Sequence, residues 1–253
     1  MSGHSKWKTN KGKKSIADAK KGATYTRLIK ELVVIARDGG GNPDTNPKLR
    51  AVIQKAKEAN MPMDNVKMAI KRGTGELPGI VYEEVMYEAY GPGGVAIMVE
   101  AITDNKNRTT AELRNIMSKK GGNMAGAGAV SWMFTKKGYF LIDKGQIKED
   151  DLMSVALDAG AEDIKSDDKN FESTTGAADF EKVKQALTGK GIQFQDAELT
   201  MIPSSSIKVV GNEAKQVLAL VEGLEEHDDV EQIYANFDIP DEIMEQVASE
   251  QEG

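Results

Sequence analysis

The sequence contains no cysteine and only two histidines in 253 residues. Without thiols the chain cannot form a disulfide, a zinc ribbon, an iron–sulfur cluster or a cysteine nucleophile. His4 and His227 stand at opposite ends of the chain, and neither belongs to a catalytic or metal-binding motif such as H-E-x-x-H. The chain therefore lacks, or nearly lacks, two of the side chains that enzymes commonly use as nucleophiles or general bases. We expect a protein that is not an enzyme and that carries no metal or cofactor.

Long apolar runs are also missing. No stretch approaches the roughly 18 residues that a membrane-spanning helix needs, and the first residues lack the apolar segment of a signal peptide. We therefore expect a cytoplasmic protein that has no membrane partner. A chain of 253 residues favours two or three domains, since single cores of about 100–200 residues are typical.

What the sequence does contain is a strong asymmetry of charge. Residues 1–76, which we call the head, carry 17 Lys and Arg against 7 Asp and Glu, a net charge of +10, while the remainder carries −17. A basic segment in an acidic chain is typical of a surface that binds a polyanion, because its cations displace the counterions condensed on nucleic acid. The alternative is a solvated lysine face with Trp7 packed against the head itself. We predict contact with nucleic acid through Lys6, Trp7, Lys8, Lys11, Lys13, Lys14, Lys20, Lys21, Arg27, Lys71 and Arg72.

The spacing of apolar residues in the head predicts a bundle of three helices. The first covers Ser15–Arg37, the second begins after Asn46, and the third covers Pro62–Arg72. A helix-turn-helix needs a turn of about three or four residues, and the connection from Gly39 to Asn46 is longer. Charge without a base-reading helix favours contact with phosphates and with shape, which suits structured RNA at least as well as DNA.

After Gly79 the pattern changes to a period of two with many β-branched residues. It predicts a hairpin of Val81–Tyr90 and Val95–Ile102, a helix from Thr109 to Lys120 and a strand over Val130–Phe134. Residues 206–237 then supply a helix and a strand that this region lacks.

The segment between these two parts is complete in itself, because its elements follow the βαββαβ order of a ferredoxin-like unit. The predicted fold class is a multidomain α+β protein in which a three-helix bundle precedes two ferredoxin-like α+β domains, one inserted in the other. The boundaries are 1–76 for the head, 80–135 plus 203–240 for what we call the outer domain, and 136–202 for the inserted domain.

Three polar segments are candidates for other roles. Gly73–Gly79 lacks the spacing of a nucleotide-binding loop and is typical of a hinge. The turn at 91–94 closes a hairpin, and its N–H groups also suit a phosphate. In 103–109, Asp104 or Asn107 would cap the next helix, yet the polar run exceeds what capping needs. A loop for a partner or ligand would comprise Gly91, Gly93, Gly94, Asp104, Asn105, Asn107 and Arg108. The acidic run at 225–229 is expected to be solvated surface.

Many ordered motifs of the chain resemble those of the YebC/PmpR family, which includes the mitochondrial translational activator of cytochrome c oxidase subunit I. The resemblance covers nearly the whole chain and is densest before about residue 135. The motifs include Met-Ser-Gly-His-Ser-Lys-Trp at 1–7, Asn-Met-Pro at 60–62, Ile-Lys-Arg-Gly-Thr-Gly-Glu at 70–76, Tyr-Gly-Pro-Gly-Gly at 90–94 and Thr-Asp-Asn-Lys-Asn-Arg-Thr at 103–109.

This resemblance implies a three-domain cytoplasmic regulator of gene expression without enzymatic activity. Some family members are described as probable DNA-binding transcriptional regulators, and others resemble ribosome-associated translation factors that help synthesis through proline-rich stretches. The nucleic acid is therefore DNA or ribosomal RNA, and the ribosome is a candidate partner. The remote alternative is an enzyme that acts on a small phosphorylated ligand between the two α+β domains, with Arg108 as its anion-binding residue.

Overall fold

The computed structural model describes residues 18–167, 169–240, 242–244 and 247. The described residues of the head form three helices, which are α1 (Asp18–Gly39), α2 (Pro47–Glu58) and α3 (Met63–Gly73). Asn46 caps α2 by accepting the N–H of Leu49 at 3.1 Å, and Pro47 occupies the first turn, where no N–H is needed. The three helices enclose a small apolar core that includes Leu32, Leu49 and Val66.

The outer domain is built on a four-stranded antiparallel sheet with two helices on one face. Its strands are β1 (Glu83–Tyr90), β2 (Ala96–Thr103), β3 (Asn123–Met124) and β9 (Val230–Ala235), in the spatial order β3-β1-β2-β9. Its helices are α4 (Lys106–Lys119) and α7 (Gly211–Glu225). Alternate residues of the two central strands, such as Tyr87 and Val99, point towards these helices and form the largest apolar core of the described residues. The short strands β8 (Ile207–Lys208) and β10 (Phe237–Asp238) pair in parallel beside this sheet.

The inserted domain has the ferredoxin-like chain path. Its elements are β4 (Phe134–Asp143), α5 (Glu149–Ala159), β5 (Ala161–Ser166), β6 (Asn170–Gly176), α6 (Phe180–Gly189) and β7 (Phe194–Pro203). The spatial order is β5-β6-β4-β7, with every neighbouring pair antiparallel. Phe140, Leu152 and Leu187 lie in its core. The mixed α+β fold class is therefore confirmed, and α7 with β9 completes the outer sheet after the insertion.

The strand predicted over 130–134 differs from what the structure shows. Residues 131–133 form a short 3-10 helix, Ser131–Met133, instead of the strand expected over 130–134, and β4 starts only at Phe134. The reason is a carboxylate, because Glu88 of β1 accepts the N–H groups of Gly128, Val130 and Ser131 at 2.6–2.8 Å and so takes donors that a strand would use.

The segment expected to be a hinge is packed against the head. A Cβ at Gly73 would clash with the carbonyl oxygen of Val33, so this glycine allows α3 to approach α1 closely. The N–H of Leu77 donates to the carbonyl of Lys71 at 3.1 Å, and Tyr82 packs on the apolar core of the head. The glycines therefore serve local packing and turns. This geometry disfavours free reorientation of the head.

Candidate nucleic-acid interface

The predicted contact residues of the head are placed only in part. The cations at positions 6, 8, 11, 13 and 14, together with Trp7, lie outside the described residues. Lys20 and Lys21 lie on α1, of which the structure describes the backbone at these positions. Lys71 and Arg72 stand in the last turn of α3, where both are exposed.

The head also exposes cations that were not among the predicted contact residues. They are exposed residues of α2 and α3 and comprise Lys48, Arg50, Lys55, Lys57 and Lys67. The amphipathic pattern of the sequence could have indicated that these cations are exposed, because the polar positions of a bundle helix face solvent once its apolar stripe is buried. The basic surface of the head therefore extends over α2 and α3.

The connection between α2 and α3 corrects an argument from the sequence. It consists of residues 59–62, with Asn60 in the left-handed region at φ 58°, and so has the length that a helix-turn-helix requires. The connection that is too long for this motif is the one between α1 and α2. The exposed cations of α3, which are Lys67, Lys71 and Arg72, would then lie on the helix in the recognition position.

Arg27 is turned towards the outer domain. Its guanidinium donates to the carbonyl oxygens of Glu225 and His227, at the carboxyl end of α7. A cation at this position complements the negative end of the helix dipole and satisfies terminal carbonyls. The contact of Arg27 with nucleic acid thus stays a prediction that competes with a structural role.

Lys30, one turn further along α1, enters a buried network around Asp229. The side chains of Lys30 and Asp229 are only 8% and 5% exposed, and Nζ lies 2.5 Å from Oδ1. Oδ2 accepts from Arg108 at 2.8 Å and from the Thr109 hydroxyl at 2.7 Å. Burial alone would raise the pKa of Asp229, but the hydrogen bonds from Lys30, Arg108 and Thr109 outweigh it and hold that pKa well below its usual range. The expectation that this acidic run is solvated surface is therefore wrong at Asp229.

The polar loop at 103–109 belongs to the same network. Asn105 caps α4 by accepting the N–H of Arg108 at 3.1 Å, so the cap is neither Asp104 nor Asn107. Asp104 instead binds the guanidinium of Arg108 at 3.0 Å, and Asn107 is exposed on the first turn of the helix. The hydrogen bonds to Asp229 and Asp104 raise the pKa of Arg108, which stays charged. The loop supports the contact between head and outer domain.

The two halves of the predicted partner loop lie far apart. Gly91, Gly93 and Gly94 precede β2, while Asp104 follows it, and eight residues of extended strand separate them by about 25 Å. The residues at the start of β2, Ala96 and Met98, pack towards the inserted domain. The 103–109 loop thus lies at the opposite end from the inserted domain, and the cleft assumed for the remote enzymatic alternative does not contain Arg108.

A cluster of Glu112, His227 and Asp229 has the spacing of metal ligands. Its donor atoms are already used, because Nδ1 of His227 accepts the N–H of Asp229 at 3.1 Å and Nε2 faces Glu112 at 2.9 Å. Together with the two cations that bind Asp229, these contacts favour a hydrogen-bond network that joins the head to the outer domain.

Comparison with known proteins gives the relationship of the whole chain. Residues 5–76 match the model of the TACO1/YebC protein N-terminal domain, and residues 82–237 match that of the TACO1/YebC second and third domain. The chain belongs to the YebC family. YebC proteins from Dictyoglomus turgidum and Syntrophobacter fumaroxidans are 54% and 51% identical over 98% of this chain and all of their own length. Both are named probable transcriptional regulatory proteins.

A solved structure shows the same arrangement of YebC domains. The crystal structure of a conserved hypothetical protein from Aquifex aeolicus is 44% identical and superimposes with a TM-score of 0.78, over 90% of this chain and 94% of that one. Among the residues that the structure describes, no helix is long and apolar enough to cross a membrane.

Proposed function

We propose that this protein is a non-enzymatic regulator of gene expression that binds nucleic acid through its basic head. The observation that carries the proposal is the separation of charge, +10 in residues 1–76 against −17 in the rest. The acidic remainder repels a phosphate backbone and so restricts docking to the head. The family relatives, which are named as transcriptional regulatory proteins, support the same reading.

Double-stranded DNA is the first candidate for the ligand. The four-residue turn between α2 and α3 has the length of a helix-turn-helix connection, and α3 presents Lys67, Lys71 and Arg72 to solvent. Lysines contact phosphates, while an arginine can also bind guanine in the major groove. In this reading α3 enters the groove and the basic residues that precede α1 follow the backbone.

Ribosomal RNA, bound by a translation factor, is the second candidate. Five of the seven cations exposed on α2 and α3 are lysines, which hold a phosphate backbone without reading bases. A structured RNA offers such a backbone in a fixed shape. Sucrose-gradient sedimentation at low and high salt separates the candidates, because a ribosome-bound factor co-sediments with ribosomal particles at low salt and is released at high salt.

The test of the head is fluorescence anisotropy with labelled duplex DNA and with structured RNA at several salt concentrations. We expect affinity to fall steeply with salt, and charge reversal at Lys13, Lys14, Lys20 and Lys21 to lower it at least about 100-fold at low salt, since each lost cation removes a released counterion. The matched control reverses four lysines of the inserted domain, which are Lys165, Lys182, Lys184 and Lys190. Equal loss in both variants, or no binding by the unmodified protein, contradicts the proposal.

A further inference from the structure

Two aromatic side chains of the outer domain are held together at its surface. Trp132 is 71% exposed and Tyr90 is 39% exposed. The indole N–H of Trp132 and the hydroxyl of Tyr90 both donate to the carbonyl oxygen of Ala129, at 3.1 and 3.0 Å. Their polar atoms are therefore turned inward and satisfied, which leaves ring surface facing solvent.

The backbone that carries Trp132 is fixed from beneath. The buried carboxylate of Glu88 accepts three backbone hydrogen bonds, which come from the N–H groups of Gly128, Val130 and Ser131. Burial alone would raise the pKa of Glu88, but these hydrogen bonds lower it, so the anchor remains ionised. An exposed ring on a rigid support binds with little loss of conformational entropy, as anchor residues of interfaces do.

The sequence segments that carry this pair differ in charge from the rest of residues 77–253. Residues 119–138 contain four lysines and no aspartate or glutamate, and residues 89–99 contain no charged side chain, although residues 77–253 carry −17. Lys119, Lys120 and Lys136 are exposed, while Lys137 binds Glu162 at 2.8 Å. Glu213 of α7 lies beside Gly93 and bounds the surface on that side.

The loops next to the rings are open to a close approach. Gly94, Gly126 and Gly128 have no atom within 4 Å of a Cβ built at their positions, and the segment from Ala125 to Ala129 consists of glycine and alanine alone. A flat base could thus lie on the rings without meeting a bulky neighbour, and a phosphate could approach the lysines.

We infer that Tyr90, Trp132 and the lysines at 119, 120 and 136, which we call the aromatic platform, form a second nucleic-acid contact that stacks an unpaired base of a single strand. Stacking on aromatic rings beside cations is the general way in which proteins hold unpaired nucleotides. The platform lies at the far end of β2 from the head and needs no contact with it. It extends the proposed function by giving one protein two contacts, a backbone contact at the head and a base contact at the outer domain.

Fluorescence of Trp132 tests the platform directly in the full chain. Trp7 and Trp132 are the two tryptophans, so Trp7→Phe leaves Trp132 as the only emitter, and all comparisons are made within this background. We expect an oligonucleotide of twelve uridines to quench the emission with saturation, because a stacked base lies against the indole. Inorganic polyphosphate, which offers charge without bases, should leave the emission unchanged. Absence of quenching at saturating oligonucleotide overturns the inference.

Affinity measured by anisotropy gives the second readout. Trp132→Ala should weaken binding of the same oligonucleotide about tenfold, within the range known for loss of one stacked base, while Trp132→Phe should stay within about threefold. Met153→Ala, which removes another exposed side chain on α5 of the inserted domain, is the matched control. Equal affinity of Trp132→Ala and the control refutes the platform and leaves its surface to a protein partner.

The measurements distinguish an error in the proposal for the head from an error in the proposal for the platform. If the head is not a nucleic-acid site, the four reversals at positions 13, 14, 20 and 21 leave oligonucleotide affinity unchanged while quenching of Trp132 persists. If the platform is wrong, these reversals lower affinity while the quenching of Trp132 emission and the effect of Trp132→Ala on affinity are both absent. The thermal unfolding temperature of each variant shows that it is folded.

Discussion

At Asp229, two cations from distant parts of the chain share one buried carboxylate. Lys30 comes from the head, 199 residues away, and Arg108 comes from the outer domain. A buried ion of this kind is stable only while all its partners are present, since an uncompensated buried charge is costly. The sequence could not reveal this role, because Asp229 follows three acidic residues at 225, 226 and 228 that look like solvated surface, and its partners are brought to it only by folding.

Substitution Asp229→Asn should destabilise the protein by about 3 kcal/mol or more, because it leaves Lys30 charged and buried without its partner. Urea-induced unfolding, followed by circular dichroism, gives the free energy of unfolding. Asp228→Asn is the matched control, since this neighbouring acid is exposed and should change stability by less than about 0.5 kcal/mol. A loss at Asp229 as small as that at Asp228 would show that the ion pair contributes little.

Capping shows what can and cannot be predicted at one residue. The sequence placed a cap at Asn46 for α2, and the structure confirms it with a hydrogen bond to Leu49. At α4 the candidates were Asp104, Asn105 and Asn107, and the cap was predicted at Asp104 or Asn107. Asn105 is the cap because Arg108 already binds Asp104, a contact that depends in turn on Asp229.

Among the secondary-structure elements, the regular ones follow local pattern and the irregular ones follow distant contacts. The period of two after Gly79 predicted a hairpin of Val81–Tyr90 and Val95–Ile102, and β1 and β2 pair as expected. The segment at 130–134 has the composition of a strand, yet its N–H groups donate to Glu88, which is more than forty residues away. A pattern within the segment carries no sign of that acceptor, so the sequence argument failed there.

Glu88→Ala should release this segment. Three backbone N–H groups would lose their acceptor, and we expect a loss of stability of about 3 kcal/mol or more, since a hydrogen bond to a charged group is worth about 1.5–3 kcal/mol. In the Trp7→Phe background the emission anisotropy of Trp132 should also fall, because its support becomes mobile. Glu83→Ala, an exposed acid on the same strand, is the control for both measurements. Unchanged anisotropy would mean that Glu88 does not hold Trp132 in place.

At the scale of the whole molecule, the head is fastened to the outer domain by α1. Arg27 binds the end of α7, Lys30 binds Asp229, and Arg37 binds the carbonyl of Tyr82. A hinge was expected at 73–79 from its three glycines and Pro78. The composition of a segment indicates how flexible it would be in isolation. The head, however, is held to the outer domain by residues of α1 that pair across the domain boundary. The overall α+β architecture followed from element order, but the relative placement of its parts did not.

Glu231 makes this attachment depend on pH. It lies on β9 at the contact with the head, and its Oε1 is buried without a hydrogen-bond partner among the described residues. Burial and then the nearby carboxylate of Glu31 raise its pKa from 4.5 to about 7, although Arg27, Lys30 and Lys55 lower it. A group whose pKa is raised in the docked state binds its proton more tightly there. Its contribution to docking is therefore fully present below about pH 4.5 and is lost as pH rises through about 7.

We expect Glu231→Gln, which keeps the size of the side chain and removes its charge, to hold the head more firmly at pH 8 and to make no difference at pH 4.5. Because the chain has no cysteine, the exposed pair Glu58→Cys and Lys190→Cys can be labelled for energy transfer between head and inserted domain. Energy transfer in the otherwise unmodified protein should change between pH 5.5 and 8 with a midpoint near 7, while the Gln variant stays nearly constant. Glu226→Gln, which changes an exposed acid close to the same contact, should behave like the unmodified protein. A pH profile that is identical with and without Glu231 would place the control of head docking in other groups.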